Sequence, residues 1–220
     1  MSGHNNRMKL AGSTLSRILT QNGIEHAFIG GFALNVLGSH RETQDIDVEI
    51  AVDDIHELRG RVTRILREAD SRFVVKSPHN KLFFVMDDVE VPIETLPRGS
   101  LNLPRRLVVF RPGDGTIPVL VPGVLVLTKM KRAANFIGST RPQSRAKYDS
   151  DCIDILYLLG WLRKYNQKID FANYDAAKPE SVYAGLRNIR THWAAQGQDN
   201  AFQLLDSLLQ PNDREIIVGN

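Results

Sequence analysis

The N-terminal part of the chain alternates between helical and strand-like spacing of its apolar residues. Apolar residues fall on one helical stripe from Leu10 to Gln21, and Asn22-Gly23 follows as a stop signal. The apolar run from Ile24 to Ile29 predicts a short strand that continues directly into Gly30-Gly31. Residues Phe32 to Leu37 then predict a compact helix. A glycine turn is therefore expected to join a strand to a helix.

Strict alternation marks the next stretch, "DIDVEIAV" at residues 45–52. Its acidic residues fall on one face of a predicted strand and its apolar residues on the other. An amphipathic helix is predicted over residues 53–70, with Asp53 or Asp54 at its N-cap. Three further strands are predicted at "RFVVKS", "KLFFVM" and "VEVPIETL". Pro92 lies inside the last of these, which favours a sheet edge or a locally irregular strand.

The pattern changes to helices after Pro122. Before it, "RLVVFRPGDGTIPVLVP" predicts a hairpin or a pair of short strands. The helices predicted beyond it are Val124 to Phe136, Asp149 to Tyr165, Pro179 to Trp193 and Asn200 to Leu209. The expected fold class is α+β, with an α/β core over residues 1–120 and a helical subdomain over residues 121–220.

Composition places the chain among folded proteins with one well-buried core, or with one core and a smaller attached subdomain. It has 220 residues, of which 42% are apolar and 24% charged, close to the globular average. No apolar run approaches the roughly 20 residues of a membrane-spanning helix, so no membrane partner is expected. A single cysteine, Cys152, excludes an internal disulfide and agrees with a reducing, cytoplasmic location.

Positive charge is concentrated in one segment, although the formal net charge of +3 is mild. No acidic residue interrupts the run of basic residues from Lys129 to Lys147. This pattern predicts either an anionic partner or a solvated helix face and loop, and the segment alone does not separate the two. Its members are Lys129, Lys131, Arg132, Arg141, Arg145 and Lys147.

The glycine turn and the alternating acids together predict a phosphate and metal site. Gly30-Gly31 opens a helix, where free backbone N–H groups and the helix dipole favour an anion. Asp45 and Asp47 point to the same side of a strand, so their carboxylates can converge on one divalent cation. The alternative is an ordinary turn beside a solvated strand face, with Arg41 paired to a neighbouring acid.

This arrangement resembles the nucleotidyltransferase superfamily, which includes DNA polymerase beta, antibiotic nucleotidyltransferases and abortive-infection toxins. It is most similar to the subgroup with a Gly-Gly turn followed by Arg-x-Thr-x-Asp-x-Asp. The matching residues are Gly30, Gly31, Ala33, Gly38, Arg41, Thr43, Asp45 and Asp47. The resemblance implies a mixed β-sheet core flanked by helices.

A second part of the resemblance lies in the basic segment. Such proteins carry a helix with a lysine, here Lys129 in "LVLTKMKRAA", followed by an Asp-x-x-Asp helix, here Asp151 and Asp154. The two aspartates share a helix face. The sequence leaves two roles open for these aspartates: an ion pair with Arg145 or Lys147, or contact with a substrate.

The resemblance also implies a third carboxylate on a neighbouring strand. Glu90 and Glu94 share a face of "VEVPIETLP", and Glu94 is preferred because it precedes the Leu96-Pro97 exit. This chain departs from the family in having Glu for Asp there. It also has Gly31 where many members have a serine that contacts the terminal phosphate.

The implied function is Mg²⁺-dependent transfer of a nucleoside monophosphate from a nucleoside triphosphate to a hydroxyl of a small molecule, an RNA end or a protein. Asp45, Asp47 and Glu94 would hold the metal, or Glu94 would act as general base. The implied nucleotide-binding residues are Gly30, Gly31, Arg41, Thr43 and Lys129. Two alternatives are an inactive nucleotide- or RNA-binding member of the fold and a toxin or antitoxin-like partner that acts on tRNA.

Overall fold

The computed structural model describes residues 3–78, 80–175 and 177–219. These residues form two compact units. The first unit runs to Leu101 and also includes Leu107–Leu120. The second contains Asn102–Arg106 and continues from Val121.

The first unit contains helices and a β-sheet. Its helices are α1 (Gly3–Gln21), α2 (Gly30–Val36), α3 (Ile55–Glu57) and α4 (Thr63–Ala69), and the π-helical turn Leu58–Val62 joins α3 to α4. Its strands are β1 (His26–Ile29), β2 (Ile46–Ile50), β3 (Phe73–Lys76), β4 (Lys81–Met86), β5 (Val89–Pro97), β6 (Val109–Phe110) and β7 (Val119–Leu120). A 3₁₀ turn spans Ser100–Asn102.

The strands form one sheet in the order β3-β4-β5-β2-β1-β7-β6. β2 is parallel to β5 and β1 is parallel to β7, whereas the other neighbouring strands are antiparallel. The sheet is therefore mixed, and the predicted α+β class is confirmed. β1 and β2, which flank the glycine turn, lie inside the sheet, where both edges of each strand are paired.

Of the two alternatives predicted for Pro92, the sheet edge is wrong, because β5 lies between β4 and β2, whereas a locally irregular strand agrees with the pairing. Pro92 is opposite Phe83 of β4, but the pairing of β5 with β2 begins only at Ile93. The strand therefore has one paired neighbour at Pro92, and a residue without an N–H group is tolerated there.

The predicted helix after β2 begins at the cap that its sequence indicates. Asp54 Oδ1 accepts hydrogen bonds from the backbone N–H groups of His56 at 2.7 Å and Glu57 at 2.8 Å. These bonds lower the pKa of Asp54 below its ordinary value. The helix is not uniform, since the π-helical turn interrupts it before α4.

His26 connects β1 to α1 through a buried polar contact. Its Nδ1 donates to the Ile24 carbonyl at 3.0 Å, so Nε2 of the neutral ring accepts from the Ser16 hydroxyl at 2.8 Å. Burial of the ring lowers the pKa of His26 below 6.5, because the charged form loses its hydration.

We expect this histidine to make the protein less stable in mild acid. The unfolded chain binds a proton at His26 more readily than the folded one, so stability falls as the pH drops from about 6.5 towards the folded pKa. Thermal unfolding of wild type and His26→Gln between pH 7.5 and pH 5, conditions that bracket the ordinary histidine range, measures this. The Tm of the variant should decline less than that of wild type as the pH falls. Equal declines would contradict the role assigned to His26.

The second unit is helical. Its helices are α5 (Pro122–Ala134), α6 (Pro142–Lys164), α7 (Pro179–Ala195), α8 (Asp199–Leu208) and α9 (Pro211–Val218). Proline stands in the first turn of α5, α6, α7 and α9, where its missing N–H group costs no intrahelical bond. Helix α9 was not predicted from the sequence. Among the described residues, no helix combines the length and apolar content needed to cross a membrane.

Candidate active site

The parallel pairing of β2 with β5 brings three carboxylates together. Asp47 on β2 and Glu94 on β5 are directly opposite each other in the register. Asp45 lies two residues before Asp47 and projects to the same side. One carboxylate oxygen from each of the three residues lies within 4.8 Å of the other two. Asp45 and Asp47 are half-buried, and Glu94 is exposed.

This set of donors fits a hard divalent cation. All three residues offer oxygen, which Mg²⁺ prefers, and the group contains no thiolate or imidazole. Oxygens around one Mg²⁺ lie roughly 3–4 Å apart, as octahedral coordination at about 2.1 Å requires. Small side-chain movements would bring the three oxygens from their present spacing to that geometry.

Glu90, the alternative third carboxylate, lies in a different environment. It is opposite Val85 of β4, three residues before the pairing of β5 with β2 begins. Its Oε1 accepts a hydrogen bond from the ammonium group of Lys76. The geometry therefore favours Glu94 over Glu90 as the companion of the two aspartates.

The glycine turn makes direct contact with the acidic group. Ile29, the last residue of β1, is opposite Asp47, and Gly30 follows with a φ of 64°. A Cβ at Gly30 would lie only 1.8 Å from Asp47 Oδ2. Both the positive φ and the close approach require glycine at this position. Helix α2 has seven residues, and Ile29 at its N-cap provides no side-chain hydrogen bond.

The loop before β2 places two polar side chains beside the turn. Thr43 is buried, and its hydroxyl lies 3.4 Å from Asp45 Oδ1 and 3.4 Å from the Asp45 carbonyl oxygen. A Cβ at Gly31 would lie 2.7 Å from Thr43 Oγ1 and 3.3 Å from Arg41 Cζ. The first unit therefore groups the predicted residues Gly30, Gly31, Arg41 and Thr43 next to the acids.

Two residues that support this loop were not predicted. Asn35 of α2 donates from Nδ2 to the carbonyl oxygens of Ser39 at 3.0 Å and Arg41 at 2.7 Å. His4 of α1 donates from Nε2 to the Thr43 carbonyl oxygen at 2.8 Å. An asparagine near the end of a short helix is a weak signal for such a contact, because its amide competes readily for nearby backbone groups.

Glu49 continues the acidic alternation of β2 but serves a different purpose. It is fully buried, and its Oε1 accepts a hydrogen bond from the Gly99 N–H group at 2.8 Å. This bond satisfies a carboxylate oxygen inside the fold. Of the alternating acids, Asp45 and Asp47 thus belong to the candidate metal site, and Glu49 supports a neighbouring loop.

In the second unit, Lys129 lies in a buried ion-pair network. It is 3% exposed, and its ammonium group donates to Asp154 Oδ2 at 2.7 Å and lies 3.7 Å from Asp151 Oδ1. Arg132 donates to both carboxylate oxygens of Asp151, at 2.5 and 2.7 Å. All four residues lie where α5 packs against α6. The network fixes the two helices to each other through paired charges.

The suggested pairing of Asp151 and Asp154 with Arg145 or Lys147 is therefore wrong. Their cations come from α5, because the two aspartates lie on the buried face of α6. Arg145 and Lys147 are exposed on the same helix. The basic segment thus contains cations that pair with buried acids, Lys129 and Arg132, and cations that face solvent, Arg141, Arg145 and Lys147.

The fold and the acidic group define a nucleotidyltransferase-type protein. Comparison with known families identifies the family to which it belongs. The family described as "Nucleotidyl transferase AbiEii toxin, Type IV TA system" matches residues 14–204. The chain belongs to this family. The resemblance to abortive-infection nucleotidyltransferases, inferred from the Gly-Gly and Asp-x-Asp motif, is confirmed.

One solved structure supports the fold, and two others are more distantly similar. An antigenic nucleotidyltransferase-like protein from Paracoccidioides brasiliensis superposes with a TM-score of 0.68 over 98% of both chains, at 16% identity. The antibiotic-resistance factor ANT(2'')-Ia matches 90% of this chain and 98% of its own, with 14% identity and a TM-score of 0.44. CdnC of E. coli MS115-1, solved with ATP, matches 87% of this chain and 65% of its own, with 15% identity and a TM-score of 0.35. No curated protein sequence matches the chain significantly.

Proposed function

We propose that the protein transfers a nucleoside monophosphate from a nucleoside triphosphate to an acceptor hydroxyl in a Mg²⁺-dependent reaction. The observation that carries this proposal is the convergence of Asp45, Asp47 and Glu94 beside the Gly30 turn. Membership of the AbiEii nucleotidyl transferase family supports the reaction class.

The three carboxylates divide the chemistry between them. Asp45 and Asp47 would hold Mg²⁺, which when bound neutralises phosphate charge and lowers the pKa of the acceptor hydroxyl. Glu94 is the exposed member of the group, and in this proposal it accepts the proton of that hydroxyl. The acceptor oxygen forms a bond to the α-phosphorus, the bond between the α- and β-phosphates breaks, and pyrophosphate leaves.

The glycine turn and its neighbours would bind the nucleotide. Backbone N–H groups at Gly30 and Gly31 would donate hydrogen bonds to phosphate oxygens. Arg41, next to Gly31, offers a planar fork of donors, and the Thr43 hydroxyl lies beside it. Lys129 is included as a nucleotide-binding residue because of its position in the sequence motif. In the second unit its ammonium group is held by Asp154.

An RNA end is the acceptor to test first. Arg141, Arg145 and Lys147 are exposed near the start of α6, and exposed cations favour contact with a phosphate backbone. Small molecules and protein hydroxyls are the other acceptor classes in the proposal.

The direct experiment incubates the purified chain with each of the four radiolabelled nucleoside triphosphates, with Mg²⁺ or EDTA. Mass spectrometry of the protein and of added total RNA then detects a nucleoside monophosphate adduct. We expect an adduct and pyrophosphate release with Mg²⁺ only. Nucleotide binding that persists in EDTA, with no product in any reaction, would instead identify an inactive nucleotide-binding protein.

A matched pair of substitutions tests the third carboxylate. Glu94→Gln should lower the transfer rate by about a hundredfold or more, because it removes a proton acceptor and a ligand charge. Glu90→Gln lies on the same strand, removes the same charge and should leave the rate unchanged, since Glu90 pairs with Lys76. The rates are measured as pyrophosphate release under saturating nucleotide. The reverse pattern would assign the role to Glu90.

A further inference from the structure

Helix α6 has an apolar stripe on its exposed face. Ile153 is 64% exposed and Leu156 is 40% exposed. Gly160 lies one turn further along the same face, and a Cβ placed there would meet no atom within 4 Å. The opposite face of α6 is buried and carries the paired aspartates. The helix thus presents two large apolar side chains next to an open position.

Opposite charges stand at the two ends of this stripe. Asp149 precedes it by one turn, and Arg163 and Lys164 follow it by one turn. All three are exposed on the same helix face. Lys164 also lies over the ring of Tyr165, with 5.3 Å between its ammonium nitrogen and the ring centroid.

The stripe is complementary to itself when two copies run antiparallel. A twofold axis between Leu156 and Tyr157 places Ile153 opposite Gly160 of the partner subunit, so a large side chain meets an open position. The same operation places Asp149 opposite Lys164 of the partner subunit. One register therefore satisfies both shape and charge, with the charge pairs at the two ends of the stripe.

We propose that the α6 stripe is a homodimer interface, in which a second copy of this chain packs its α6 antiparallel to the first. The agreement of packing and charge in one symmetric register favours a second copy over an unrelated partner. Residues 149–164, the part of α6 that overlaps in this register, span about 24 Å. A contact limited to one helix of that length is at the low end of interface sizes, so the dimer should form in a concentration-dependent manner.

Sedimentation equilibrium of the full chain from about 1 µM to several hundred µM tests the proposal across the affinity range of weak interfaces. We expect a monomer–dimer equilibrium for wild type. Ile153→Glu should raise the dissociation constant by about tenfold or more, because it places a charge in the centre of the contact. Leu10→Glu makes the same exchange at an exposed leucine of α1, 39% exposed, and should leave the equilibrium unchanged.

Two further variants distinguish this interface from a general loss of folding. Gly160→Leu fills the open position without an internal clash, so it should abolish the dimer while the monomer keeps its Tm. Asp149→Lys and Lys164→Asp should each weaken the dimer, and the double variant should restore it. Wild type that stays monomeric throughout, or a dimer unaffected by Ile153→Glu and Gly160→Leu, would overturn the proposal.

Discussion

Replacing Asp47 with asparagine is expected to abolish nucleotide transfer while the chain stays folded. Asn keeps the shape of the side chain but removes the negative charge that the metal site requires. Asp47 lies opposite Glu94, and its Oδ2 occupies the space that a Cβ at Gly30 would take. No other described residue takes this position. Loss of one metal ligand should slow transfer by about a thousandfold, equivalent to about 4 kcal/mol of barrier.

The measurement is the rate of labelled product formation at saturating nucleotide and Mg²⁺. Asp53→Asn is the matched control, because Asp53 is an exposed acid of the first unit that pairs with Arg98. The Tm of Asp47→Asn should stay close to that of wild type, since asparagine keeps the shape of the side chain. A variant that turns over at the wild-type rate would remove the metal site from the proposed mechanism.

Replacing Lys129 with methionine is expected to destabilise the second unit severely. Asp154 and Asp151 are both fully buried, and Lys129 lies 2.7 Å from one and 3.7 Å from the other. Methionine matches the length of the aliphatic stem but leaves the Asp154 carboxylate buried without its cation. The free energy of unfolding should fall by about 3–5 kcal/mol, the usual cost of breaking a buried ion pair.

Denaturant unfolding monitored by circular dichroism measures this loss. Lys147→Met, at an exposed position of α6, should change the free energy of unfolding by no more than about 0.5 kcal/mol. The double variant Lys129→Met/Asp154→Leu should recover much of the stability, because the buried charge is removed with its partner. If Lys129→Met alone were as stable as wild type, the ion pair would have no structural role.

The elements of the fold could be predicted because their patterns are local. The alternation in residues 45–52 predicts β2, and helical spacing after Pro122 predicts α5 to α8. Helix α9 was missed because it buries only Ile217 and therefore has little amphipathic signal. The two alternatives for Pro92 could not be separated, because the sequence does not show at which residue β5 acquires its second neighbour.

The candidate site was only partly predictable for the same reason. Asp45 and Asp47 are two residues apart, so their shared side follows from the strand period alone. The choice between Glu94 and Glu90 depends on the pairing of two strands that are distant in sequence, and only the structure supplies that register. The partners of Lys129 depend likewise on how α5 packs against α6.

The packing around the glycine turn also constrains how this site can vary. The volume that a serine side chain would need at position 31 is already occupied by the hydroxyl of Thr43, 2.7 Å from where a Cβ would be. A side chain at position 31 would therefore require Thr43 to shift or to be replaced by a smaller residue. In this chain the hydroxyl next to the turn comes from the loop before β2 and not from the turn itself.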